Sequence, residues 1–199
     1  MAPTFRLAGG LVKLDTMTKL PLALCVLAAC GSDPVNFSEP VGIELKAKSG
    51  DVANAAVSEQ KDITTESGNP YGKFTTDAMA KLGGKMPSSI GLDQLTLTLG
   101  GQSTGVATLD QVMTGDVDVA FIANSSNNTY DAGHVMSPTG VGPVDMSTTF
   151  DWSKVTEADR AEMLGGSFKV VLRAPAAADF ASKGAEASLQ VTFTFAAFQ

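Results

Sequence analysis

From Val41 onward the chain is dominated by short runs in which apolar and polar residues alternate. In VGIELKAKSGD, Val41, Ile43, Leu45 and Ala47 fall on one side and Glu44, Lys46 and Lys48 on the other. That is the period-two pattern of a half-buried strand, ended here by Ser49, Gly50 and Asp51. LDQLTLTLGG places Leu95, Leu97 and Leu99 inward and Thr96 and Thr98 outward, and DVDVAFIAN does the same with Val117, Val119 and Phe121. VDMSTTF, SFKVVLRAP with Phe168, Val170 and Leu172, and ASLQVTFTFAAF with Leu189, Val191, Phe193 and Phe195 extend the series. AAVSEQKDITTESG is more polar and predicts an edge strand, where charge discourages unwanted pairing.

The period changes in two places. In NPYGKFTTDAMAKLGG, Tyr71, Phe74, Ala78 and Leu82 recur at helical spacing, Asn69 can cap, Pro70 suits the first helical position and Gly83-Gly84 supplies a stop. TEADRAEMLGG predicts a shorter helix with Thr156 as its cap. TLDQVMTG holds Thr108 and Gln111 at capping-box spacing, which predicts one helical turn that buries Leu109, Val112 and Met113. The polar stretch from Asn124 to Pro143, rich in Asn, Ser, Gly and Pro, reads as one long connection. Short alternating strands separated by turn signals, with helices inserted irregularly, predict a mainly β fold: an antiparallel β-sandwich with two or three short inserted helices.

Before this domain lies KLPLALCVLAACGSDP, a greasy run from Leu20 to Ala29 preceded by Arg6, Lys13 and Lys19 and followed by small residues and a cysteine. The run falls well short of the roughly 20 residues that span a bilayer. Its basic, apolar and small-residue parts occur in the order of a secretory signal. Leu27-Ala28-Ala29-Cys30 resembles the lipobox of bacterial lipoproteins. The resemblance implies that the Cys30 thiol receives a diacylglycerol, that the chain is cut before it, and that a further acyl chain usually follows. Residues 1–29 are then the signal, with 1–16 either an upstream extension ahead of Met17 or a long basic region. Residues 30–40 read as a lipidated, flexible tether and 41–199 as a single sandwich domain. Gly31 after Cys30, in place of the Asp that retains many lipoproteins at the inner membrane, favours the outer membrane.

Cleavage would take away Arg6, Lys13, Lys19 and Asp15 and move the net charge from −7 to −9. An acidic domain is a poor binder of nucleic acid and of anionic lipid, so membrane attachment falls to the anchor. Cys25 leaves with the signal and Cys30 is consumed by lipid, so the mature chain keeps no thiol for catalysis, a disulfide or a zinc site.

His134 is the only histidine, placed by this reading in the long polar stretch. It is a candidate ligand contact; a nucleophile elbow that would make it part of a serine triad is missing from the sequence. GNPYGKF ends like a phosphate loop but lacks the spacing and the hydroxyl residue after Lys73, so no cofactor is expected. Asp116 and Asp118 share a strand face, and with Asn124 and Asp131 they offer the hard oxygen ligands that suit calcium. Such pairs on open strand faces are otherwise simply solvated. Tyr130 and Trp152 are amphipathic aromatics on which a sugar ring could stack, unless they pack against the neighbouring helix.

These features point to a cell-envelope lipoprotein with a non-catalytic binding or structural role. Its partners would be the membrane, through Cys30, and an envelope protein or glycan, with the 124–143 stretch as the contact region. A small-ligand or carbohydrate-binding module is the first alternative, and an envelope hydrolase using carboxylates is the second.

Overall fold

The computed structural model describes residues 36–66 and 68–199; the signal and the Cys30 attachment position lie outside the described residues. Among the described residues there are eight strands: β1 (Asn36–Lys48), β2 (Ala56–Ile63), β3 (Ser89–Leu99), β4 (Asp116–Ala123), β5 (Thr129–Met136), β6 (Val144–Thr148), β7 (Phe168–Pro175) and β8 (Glu186–Phe198). Two helices, α1 (Pro70–Lys81) and α2 (Glu157–Leu164), and several 3-10 turns are inserted between them. The strands form one antiparallel sheet in the order β1-β8-β3-β6-β5-β4-β7-β2. The mainly β, antiparallel class expected from the alternation is therefore the class observed.

Strand β6 is the hinge of this sheet. Val144, Asp145 and Met146 pair with Leu97, Thr96 and Leu95 of β3, whereas Ser147 and Thr148 pair with His134 and Gly133 of β5. One five-residue strand thus belongs to two layers, β1-β8-β3 and β5-β4-β7-β2, and folds them over a common core. Strands that cross between sheets at a corner join the layers of a sandwich in this way. The end strands β1 and β2 come near each other without pairing in register.

The alternating apolar positions of the strands all face this interior. Val41, Ile43, Leu45, Leu95, Leu97, Val117, Val119, Phe121, Leu189, Val191 and Phe193 are buried. Helix α1 closes one end. Asn69 accepts a hydrogen bond from Tyr71 N at 2.9 Å, Pro70 opens the helix, and Tyr71 and Phe74 project into the core. Tyr71 meets Phe168 of β7 edge-on at 5.0 Å and Phe195 of β8 at 5.3 Å, so one ring touches both layers. Each such buried aromatic contributes roughly 1.5–3 kcal/mol from apolar area, before the specific ring geometry adds to it.

Three expectations need correction. The polar stretch 124–143 is not one long connection, because it contains β5 (Thr129–Met136). A strand with one face to solvent needs few apolar residues, and a bulge in β5 breaks the alternation that would have revealed it. Residues 36–40, read as tether, are paired in β1 with β8, from Asn36 against Phe198 to Pro40 against Thr194. The turn after Thr108 is a single 3-10 turn, Leu109–Gln111, in which Thr108 makes no side-chain cap. Gln111 Oε1 instead accepts from Ala107 N at 2.8 Å.

Candidate functional site

Opposed residues on antiparallel strands point to the same face of the sheet. On β5, β4 and β7 the register sets His134 opposite Asp118 and Asp118 opposite Arg173. The row continues at both ends, with Ser147 of β6 opposite His134 and Ser58 of β2 opposite Arg173. Val117 and Val119 on either side of Asp118 are buried, so this row lies on the outer face. In the next row Ala120 stands between Asp131 and Val171.

Asp131 and His134 are three residues apart, and in a regular strand they would point to opposite faces. A β-bulge removes the conflict. The pairing passes from Val119 with Gly133 to Ala120 with Asp131, leaving Ala132 as the extra residue. Ala132 turns into the core, and Asp131 and His134 both come out on the solvent side. Bulges re-aim side chains in this manner and increase the local twist. Gly133 makes this bulge feasible: a Cβ there would overlap the Ser147 carbonyl oxygen and stand 2.9 Å from Leu95 Cδ2.

The result is an open recess of about 340 Å³ whose rim carries Asp118, Asp131, His134 and Arg173. Ala120, Ile122 and Val171 form its floor, and the hydroxyl residues Thr129 and Thr149 line its side. The small Ala120 side chain between larger neighbours creates the depression. Among the described residues, no side-chain hydrogen bond or ion pair holds any of the four polar rim residues. Two carboxylates, one guanidinium and one imidazole therefore face solvent together.

The proposed site residues are only partly gathered here. Asp118, Asp131 and His134 line the recess, whereas Asp116 and Asn124 do not. Asp116 lies at the start of β4 opposite Met136, and Asn124 Nδ2 donates to Ser167 Oγ at 3.3 Å in the turn beyond. Among the described residues no group of three or more His, Cys, Asp or Glu side chains is placed to hold a metal ion. Arg173 also brings a positive charge into the same recess.

Neither aromatic candidate lines the recess. Tyr130 is on β5 rather than in a loop, and its hydroxyl donates to Asp159 Oδ2 at 2.5 Å. Asp159, on α2 and only 1% exposed, also accepts from Ser126 Oγ and Asn128 Nδ2, both at 2.8 Å. These donors hold the β4–β5 turn against α2, and they lower the carboxyl from its ordinary value to about 2, the Tyr130 bond contributing most. Trp152 packs beside Phe150, with the Arg160 guanidinium 5.7 Å from its ring centre. Arg160 Nη2 also donates to the carbonyls of Trp152 and Ser153. Both rings thus serve the packing of α2.

Arg173, Ala120 and Gly133 were not singled out by the pattern of the sequence. The visible signal was Arg173 as the outward position that follows Lys169 and Val171 in SFKVVLRAP. What it faces depends on register with β4, which no local pattern encodes.

No helix among the described residues is long and apolar enough to cross a membrane. Comparison with protein-family models, with curated proteins and with solved structures finds no match for this chain.

Proposed function

We propose that this chain is a cell-envelope lipoprotein, anchored through Cys30 with the outer membrane favoured, whose sandwich domain has a non-catalytic binding role. The contact region is the recess rimmed by Asp118, Asp131, His134 and Arg173. The observation that carries this reading is the bulge at Ala132–Gly133. It brings two polar side chains from odd spacing onto one face, beside two more, with their hydrogen-bonding groups turned to solvent. Bulges are over-represented where a side chain must be re-aimed toward a functional surface.

An envelope hydrolase is the second reading, since Asp118 and Asp131 line one recess. The openness of the site favours binding over that chemistry: both carboxylates are exposed, whereas acid catalysis by a carboxyl draws on a desolvated site that raises its pKa. For the carbohydrate-binding alternative, stacking would need a free aromatic face, and the recess has none.

The anchor is tested by Cys30→Ser in the full chain. Release of the protein from the membrane fraction is expected, and retention there would overturn the lipoprotein reading. The contact region is tested by Ala120→Leu, which fills the recess without changing charge. Capture of envelope material by the purified full chain should fall, and unchanged capture of the same material would remove the recess from the function.

A further inference from the structure

Resting on the recess as the contact region, we infer that its ligand is a short peptide-like zwitterion, bound by its ammonium end at Asp131 and by its carboxylate end at Arg173. Asp131 and Arg173 mark opposite corners of the recess, with Asp118 in the row of Arg173. Asp131 lies on β5 and Arg173 on β7, with β4 between them. Two strands across at about 4.8 Å and two residues along at about 3.4 Å put these two backbone positions about 12 Å apart. A charge-assisted hydrogen bond of about 2.8 Å at each side leaves about 6 Å between the ligand's two charged ends, within the roughly 7 Å that two extended residues span. A peptide spans such a gap with its two termini; a lone inorganic anion or a simple amine engages one side only.

The remaining residues suit the same occupant. The floor of Ala120, Ile122 and Val171 is aliphatic and accepts small side chains. Thr129, Thr149 and His134 supply hydrogen-bonding groups for a peptide amide between the termini. Arg173 presents a planar fork that matches a carboxylate bidentately. The Asp131 carboxylate at the other corner matches an ammonium. No side-chain hydrogen bond or ion pair among the described residues has to be broken for either end to bind.

The single histidine makes the test direct, because His134 gives the one imidazole signal in a proton spectrum and lies on the rim. The purified full chain is titrated with L-alanyl-L-alanine, with N-acetyl-L-alanyl-L-alanine, which lacks the ammonium, and with L-alanyl-L-alanine amide, which lacks the carboxylate. Saturable movement of the His134 signal by the free dipeptide is expected in the millimolar range, with either blocked form weaker by about tenfold or more. Arg173→Gln should weaken the free dipeptide to the level of the amide and leave the amide unchanged. Asp131→Asn should weaken the free dipeptide and the amide and leave the N-acetyl form unchanged. Equal binding of all three ligands, or no movement with the free dipeptide, overturns the assignment. Two further arms, inorganic phosphate and a chitin oligosaccharide, separate that failure from failure of the recess itself. If one of them moves the signal while the dipeptide does not, the zwitterion is wrong and the recess stands; if nothing moves it, both fall.

Discussion

Gly133 of β5 lies so close against the backbone of Ser147 on β6 that no β-carbon can be accommodated between them. This contact permits the bulge, and the bulge places Asp131 and His134 on one face. Gly133→Ala must push β5 and β6 apart at the strand that joins the two layers. The expected cost is about 2–3 kcal/mol, from overlap with backbone that cannot rotate away. Thermal unfolding should show it as a fall in Tm of roughly 5–10 °C, and a change within error would refute the close approach.

The Asp159 carboxylate makes the domain acid-sensitive at one defined place. Its carboxyl is held at about 2, below its ordinary value of 3.8, by the donors from Tyr130, Asn128 and Ser126. A depressed carboxyl stabilises the fold above its unfolded pKa, and that contribution is lost as the pH falls through the folded value. The window is therefore about pH 4 down to about pH 2. The shift sets an upper bound of about 2 kcal/mol on its share. Asp159→Asn should flatten the fall in urea stability across that window. An unchanged slope would show that other groups dominate it.

Tyr71 links the two helices, since its hydroxyl donates to the Met163 carbonyl at 2.7 Å from a fully buried position. Tyr71→Phe keeps the ring contacts with Phe168 and Phe195 and removes only this bond. Met163 O also accepts from Gly166 N at 3.1 Å, so the carbonyl is not left bare. The loss should sit near the low end for a buried hydrogen bond, about 1 kcal/mol by denaturant unfolding. A loss above about 3 kcal/mol would mean that the hydroxyl does more than this one bond.

Trp152 is the only tryptophan, and Arg160 covers part of its ring. Arg160→Ala removes that cover together with the bonds to the carbonyls of Trp152 and Ser153. Fluorescence emission should move to longer wavelength, with about 1 kcal/mol lost from stability. Emission that stays in place would show that Phe150 and the backbone alone shield the indole.

The sequence by itself determined which segments are strands and helices wherever one face is buried and the other is wet, because burial imposes a period of two or 3.6 on the residues themselves. The inward sets beginning at Val41, Leu95, Val117, Phe168 and Leu189, and the Asn69-capped helix, were legible for that reason. Strand β5 was not legible, because its extra residue Ala132 breaks the period and half of its residues face solvent. The candidate site was half legible: Asp118, Asp131 and His134 could be listed as chemically able, but not as neighbours of Arg173. Neighbourhood across β5, β4 and β7 is set by strand register, and register follows from the packing of the whole core and from one close approach at Gly133. The same packing decided that Tyr130 and Trp152, alike in sequence to exposed binding aromatics, are bound to Asp159 and Arg160 of α2.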